Sequence, residues 1–273
     1  MKRIQNNLKR RLQDGQLAIG VGLRQARTVD IAKVMKTAGY HWLMIDLEHS
    51  SMDIDTACQI AVAAQDAGIT PLVRVPGFEH HYVSRVLDGG AQGVVVPHVQ
   101  DAATAARMAA SCRYPPAGER SATALLPQLD FAVGPTNEIV SAVNESTLLV
   151  VMLETRKAIG NADAIAAVPG VDVLLVGTND LCMEMGCPRN FSHPDVLACY
   201  RTVVAACKTH GKHAGMGGIY QPELMKPYLD LGVGLVLSGT DLTFLMTGAQ
   251  AQAAAVSALV TKQTSPQSYE LPV

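Results

Sequence analysis

LLVVMLETRKAIGNADAIAAVPGVDVLLVGTNDL, Leu148 to Leu181, holds two apolar runs, one closed by Glu154 and the other followed by Asp180, with a helix-length segment between them. Continuous apolar strands are buried on both faces, and parallel neighbours need a helical crossover. The stretch therefore reads as one strand, helix, strand unit. Outward from it, similar runs recur at LAIGVGL (17–23), WLMIDL (42–47), PLVRV (71–75), GVVVP (93–97), KHAGMGG (212–218) and GLVLSG (234–239), making eight candidate strands with those at 148–154 and 171–177. KHAGMGG is the least strand-like. Segments such as TVDIAKVMKTAG and DIDTACQIAVAAQDAG lie between most of the runs, opening on Asp or Thr and closing on Gly as helices do. The predicted fold class is α/β, a (β/α)8 TIM barrel; an open doubly wound sheet obeys the same alternation and stands as the alternative.

The length of 273 residues suits one barrel domain over 1–273. Ile4, Leu8 and Leu12 recur at helical spacing, so a helix over 1–14 packs on the body. The tail 264–273 lacks periodicity and is expected to be poorly ordered. One interval, Arg113 to Thr147, is rich in Pro, Gly and Asn and is expected on the loop face of the barrel. Within it RYPPAGER reads either as a structural corner or as a closure of Arg113, Glu119 and Arg120 over the mouth.

An apolar fraction of 48% against 17% charged residues permits a packed interior, and 4% aromatics leave the packing to aliphatic side chains. A net charge of -2 argues against nucleic acid or an anionic membrane as partner. No apolar run reaches the roughly 18 residues of a membrane span, and no signal core follows MKRIQNNLKRRLQDG. A cytoplasmic protein is expected, with its six scattered cysteines reduced. Cys182 and Cys187 are near neighbours but lack the second pair of a zinc site.

In a parallel barrel the strand C-termini meet around one mouth, and adjacent strands are about 4.8 Å apart. Glu154 and Asp180 would face one small volume. Two ionised carboxylates that close require a proton, a base or a cation between them. Oxygen donors alone suit a hard divalent ion such as Mg²⁺ or Mn²⁺. The competing reading pairs Glu154 with Arg156 or Lys157 and makes Asp180 a helix cap. Strand two adds Asp46, Glu48 and His49, and strand three adds Arg74, a buried cation that needs an anion. A metal, a guanidinium and an imidazole around one mouth suit 2-oxo acids: the cation chelates the oxo and carboxylate oxygens and stabilises an enolate. No strand-end lysine offers a Schiff base, since Lys212 opens strand seven at the wrong end. His80, His81, His98, His210 and His213 read as ordinary polar residues, and the GMGG turn (215–218) as a tight turn rather than a phosphate cradle.

WLMIDLEHS, PLVRVPG, VLDGGAQGVVVPHVQDAATA, RYPPAGERS, the stretch from Leu153 to Leu181 and LDLGVGLVLSGTDLTFL, in that order between Leu17 and Leu245, resemble the HpcH/HpaI family of metal-dependent pyruvate aldolases. That resemblance implies a barrel of the phosphoenolpyruvate/pyruvate type. It implies Glu154 and Asp180 as ligands of Mg²⁺, Mn²⁺ or Co²⁺, with Asp46 and Glu48 near the metal-bound waters. Arg74 would bind the pyruvyl carboxylate and oxo group, and the backbone amides of Gly177, Thr178 and Asn179 the carboxylate. His49 would move protons through water, oriented by Asp88. The implied reaction is reversible cleavage of a 4-hydroxy-2-oxo acid to pyruvate and an aldehyde through a metal-bound pyruvate enolate. An oxaloacetate decarboxylase, a macrophomate synthase-like enzyme and a citrate or malyl-CoA lyase share that enolate and are the alternatives, although no basic loop for CoA phosphates is present. A non-catalytic barrel would have lost one of Glu154, Asp180, Arg74 or His49. The resemblance further implies a homohexamer, a trimer of dimers that exchanges a helix over 241–262. Met152 in place of glutamine, GTND in place of GPAD and Ser121 in place of glycine depart from the family pattern and bear on the acceptor.

Overall fold

The structure, a computed structural model, describes residues 4–123 and 125–261. The chain opens with α1 (Asn7–Gln13), β1 (Ala18–Leu23), α2 (Ile31–Thr37), β2 (Trp42–Asp46), α3 (Ile54–Asp66), β3 (Thr70–Arg74), α4 (His80–Asp88), β4 (Gly93–Val96) and α5 (Ala102–Cys112). A 3₁₀ turn (Pro127–Leu129) and α6 (Thr136–Ser146) precede β5 (Leu148–Leu153). Then come α7 (Arg156–Gly160), α8 (Ala162–Ala166), β6 (Val173–Gly177), α9 (Thr178–Glu184), α10 (Pro194–His210), β7 (His213–Gly217), α11 (Pro222–Leu231), β8 (Val233–Thr240) and α12 (Asp241–Thr261). All eight strands pair in parallel with their sequence neighbours, and β1 pairs with β8, so the sheet closes into a barrel. The open-sheet alternative is ruled out by that last pairing.

Strand periodicity of two explains the two apolar layers. Trp42, Met44, Leu72, Val95, Leu148, Val150, Met152, Val173, Leu175, Leu235 and Leu237 fill the barrel interior, while the alternate residues Leu43, Ile45, Val73, Val94, Leu149, Val151 and Leu174 pack outward against the helices. Alanines such as Ala57, Ala61 and Ala64 on α3 let helices lie close to the sheet, which is how so few aromatics suffice. The helix at the N-terminus forms, but it starts at Asn7, where the Asn6 side chain accepts from the Lys9 amide as N-cap. Leu8 and Leu12 close the floor of the barrel beneath Trp42. The tail 264–273 lies outside the described residues.

The interval 113–147 is not on the loop face. It joins the end of α5 to the start of β5, and both lie at the N-terminal end of the barrel, opposite the mouth. Arg113 donates there to the carbonyls of Thr147 and Gly170 and meets Asp172 at 3.1 Å. RYPPAGER is therefore a structural corner and closes nothing over its own mouth.

Gly93 in β4 marks a close approach to a neighbouring strand's backbone, since a Cβ there would stand 2.4 Å from the Leu148 carbonyl oxygen, an atom that cannot swing aside. Gly93→Ala is expected to lower stability by roughly 2 kcal/mol, as overpacking does. Urea unfolding at unchanged m value checks this, with Gly248→Ala, where nothing lies within 4 Å, as the neutral-to-stabilising control.

Candidate functional site

The inward series of β2, β3 and β5 runs on past the apolar layers into polar residues: Asp46 above Met44, Arg74 above Leu72, Glu154 above Met152. Asp46 and Arg74 are register partners on adjacent strands. That register lets Arg74 donate twice to one carboxylate, from Nε to Oδ1 at 2.9 Å and from Nη2 to Oδ2 at 2.6 Å. Its Nη1 reaches Glu48 Oε2 at 2.9 Å. The anion that buried Arg74 required is thus supplied by the protein. Asp46 has no exposed surface, and it also accepts from the amides of Glu48 and His49 and from Arg24 Nε at 3.1 Å. Burial alone would raise its pKa; the Arg74 guanidinium, the His49 amide and Arg24 together hold it below the ordinary carboxylate value.

Glu154, 4% exposed, meets neither Arg156 nor Lys157. Its Oε2 accepts from the His98 amide at 2.8 Å and meets His98 Nδ1 at 2.9 Å, while His98 Nε2 stands 3.0 Å from Glu48 Oε1. His98 therefore belongs to the mouth. In sequence it reads as an ordinary polar residue, although its place one residue beyond GVVVP matches that of the strand-end acids. Its left-handed φ of 56° turns the chain so that amide and ring face the same carboxylate. Burial raises the Glu154 pKa, opposed by His98 and reinforced by the charges of Asp180 and Glu48. Asp180 is exposed in the first turn of α9 and makes no capping bond, so the helix-cap reading falls. His49 is half exposed at the rim, with Nε2 3.7 Å from Glu48 Oε2.

The turn after β6 is held by its side chains. Thr178 is buried, donating to the Gly217 carbonyl at 2.7 Å and bonding the Tyr200 hydroxyl at 2.7 Å. Only its backbone is left for a ligand. Gly177 is needed because a Cβ there would lie 2.6 Å from Glu154 Cγ. Asn179 is exposed beside Gly218. Asp88 is not at this mouth: it is the last residue of α4, which runs back from the mouth, and its Oδ1 meets Arg120 Nη2 at 2.5 Å. Within one chain it does not orient His49. Lys212 stands at the far end as expected.

The mouth gathers Asp46, Glu48, Glu154 and Asp180 against Arg24 and Arg74, so acids outnumber guanidiniums. A hard divalent cation fits that excess. No three ligating side chains converge as a ready cage among the described residues. Cys182 is buried and Cys187 half buried, both as free thiols. A groove of about 570 Å³ between α1 and α6, lined by Gln5, Lys9, Arg10 and Glu145 among others, collects no comparable chemistry.

The family model described as HpcH/HpaI aldolase/citrate lyase matches residues 24–246. The chain is 38% identical over 263 residues to 4-hydroxy-4-methyl-2-oxoglutarate aldolase tasA of Hapsidospora irregularis, covering 93% of this chain and 96% of that one. It is 34% identical over 245 residues to the 5-keto-4-deoxy-D-glucarate aldolase of Salmonella arizonae, covering 90% and 94%. The crystal structure of an HpcH/HpaI aldolase from Desulfitobacterium hafniense superposes with a TM-score of 0.84 at 28% identity, covering 95% of this chain and 98% of that one.

Asp46→Asn removes the counter-charge of a buried arginine and is expected to cost about 3 kcal/mol at pH 7. Because the folded pKa of Asp46 is depressed, its contribution is complete above the unfolded value near ~3.9 and is lost as pH falls through the folded value. The gap between wild type and variant should narrow below about pH 4. Denaturant unfolding at pH 7 and pH 3 measures both.

Proposed function

The chain belongs to the HpcH/HpaI aldolase/citrate lyase family and is a carbon–carbon lyase of that family; we propose that it cleaves and forms 4-hydroxy-2-oxo acids, with pyruvate as one product and an aldehyde or ketone as the other. The observation that carries this reading is the pairing at the mouth of buried Glu154, its pKa raised by burial and by Asp180, with the guanidinium of Arg74 two strands away. The aldolase names of the relatives, for 4-hydroxy-4-methyl-2-oxoglutarate and 5-keto-4-deoxy-D-glucarate, support aldol chemistry.

Glu154 and Asp180 would hold a divalent ion, Mg²⁺, Mn²⁺ or Co²⁺. When bound, it supplies Lewis-acid polarisation of the 2-oxo group. Arg74, rigid on Asp46, turns its remaining N–H donors toward the pyruvyl oxygens. The Thr178 and Asn179 amides, at the start of α9, receive the pyruvyl carboxylate. In the cleavage direction the 4-hydroxyl proton leaves while the bond between C3 and C4 breaks; half-exposed His49 accepts that proton through water and returns one to C3. His98, bridging Glu48 and Glu154, holds those two acids at a fixed separation. A role for Asp88 in orienting His49 requires the mouth of a second copy.

A homo-oligomer, with a hexamer implied by the family resemblance, belongs to the same reading. It is supported by α12, which leaves Phe244, Leu245, Met246, Val256 and Leu259 exposed along one helix. A cytoplasmic location is supported by free thiols; no helix of the described residues is long and apolar enough to cross a membrane.

Purified protein is expected to release pyruvate from a 4-hydroxy-2-oxo acid with Mg²⁺, Mn²⁺ or Co²⁺ and to stop in EDTA; turnover that survives EDTA, or borohydride trapping of a covalent adduct, refutes the reading. Glu154→Ala and Asp180→Ala should each lower kcat/KM by about a hundredfold or more while the far-ultraviolet circular dichroism is kept. Gly177→Ala should weaken Mn²⁺ binding in a calorimetric titration, because its Cβ displaces the Glu154 carboxylate.

A further inference from the structure

The two guanidiniums at the mouth are not equally committed. Arg74 is 5% exposed and spends Nε and Nη2 on Asp46 and Nη1 on Glu48, so its charge is balanced by two carboxylates. The side chain of Arg24, the first residue beyond β1, has Asp46 as its one polar partner among the described residues, through Nε. Its side chain is 36% exposed, and neither Nη nitrogen has a protein partner among the described residues. Anchoring by Nε leaves free the Nη1–Nη2 edge, which matches a carboxylate in bidentate geometry.

The position of that guanidinium is built rather than incidental. Asp241 accepts from the amide of Arg24 at 2.9 Å with Oδ1, and from those of Gln25 and Ala26 at 2.9 and 2.7 Å with Oδ2. Arg27 Nη1 donates to the Arg24 carbonyl at 2.8 Å. The loop is thereby fixed at both backbone and side chain, so little conformational entropy is left for a ligand to remove. Tyr220, in the loop after β7, is half buried and lies in the electrostatic neighbourhood of Arg24, Arg74 and Asp46. Its hydroxyl has no hydrogen-bond partner among the described residues, and burial keeps it protonated as a donor.

The geometry points to a second carboxylate subsite, in which the free edge of Arg24, assisted by the Tyr220 hydroxyl, receives an acid group carried by the non-pyruvyl half of the substrate. The relatives named for 4-hydroxy-4-methyl-2-oxoglutarate and 5-keto-4-deoxy-D-glucarate act on diacids, and a substrate of that class would fill such a subsite. This rests on the aldolase reading for the pyruvyl half and assigns the side chains that receive the other half. Arg24 in this role is a specificity-determining residue, because its loss costs the diacid a bond that a ligand without the second acid never makes.

The test separates the two halves by equilibrium binding. Mn²⁺-loaded protein is titrated calorimetrically with 2-oxobutyrate and with 2-oxoglutarate, which share the 2-oxo acid head and differ in the distal carboxylate. Wild type is expected to bind 2-oxoglutarate more tightly. Arg24→Gln should weaken 2-oxoglutarate by roughly tenfold or more, the loss of a charged hydrogen bond, and leave 2-oxobutyrate unchanged; Arg24→Lys should retain part of the preference. Equal weakening of both ligands, or no preference in wild type, overturns the subsite and leaves the aldolase reading intact. Binding of neither ligand overturns the aldolase reading itself. If circular dichroism shows Arg24→Gln unfolded, Tyr220→Phe carries the same comparison, with a smaller selective loss of 2-oxoglutarate expected and an equal effect on both ligands overturning the proposal.

Discussion

A carboxylate without exposed surface, Asp46, receives two guanidiniums and two backbone amides, and the remaining polar contacts of the mouth hang from it. Arg74 could not be carried at a strand end without a counter-charge, since an unpaired buried cation costs several kcal/mol. Once Arg74 is held there, its third contact fixes Glu48. Glu48 in turn meets His98, and His98 meets Glu154. A continuous chain of ion pairs and hydrogen bonds therefore passes from the loop after β1 to the end of β5. Each member faces the next, which restricts the arrangements the network can adopt, although Glu48 Oε2 is buried with an ion-pair contact and no hydrogen bond.

That network sorts the acids by task. Asp46 is held low in pKa and fully paired, so it is a fixed anion of the scaffold. Glu154 is pushed the other way by burial and by like charge, and it gains most from a cation. Asp180 is exposed on the neighbouring element. Four acids that look alike near the strand ends thus divide into two that pair with arginine and two that do not. Gly177 lies between the latter as the residue whose missing side chain leaves the Glu154 carboxylate its space.

The barrel was legible because burial on both faces leaves a plain trace: eight apolar runs, spaced by helices, whose alternate residues divide between interior and shell. The mouth was legible where a charge interrupts or ends such a run, as at Asp46, Arg74 and Glu154. His98 was missed because its significance lies in a backbone turn and in carboxylates 50 and 56 residues away, which no local pattern carries. The interval 113–147 was assigned to the wrong end because its composition announces a loop but says nothing of direction. Counting helices would have placed it, since a segment between a helix end and a strand start lies at the floor. The anchoring of the Thr178 hydroxyl by Tyr200 and Gly217 was likewise not legible, because both partners are distant in sequence.

Asp241 is the first residue of α12, and its carboxylate grips the loop that follows β1. The barrel's seam, where first and last strands meet, is thus stitched at its upper rim by one side chain that serves two elements at opposite ends of the chain. α12 carries most of its apolar residues outward, so its own hold on the barrel runs largely through this first turn. Truncation of the last helix would unpick that stitch even with every strand left intact, and circular permutation across the seam would have to preserve it.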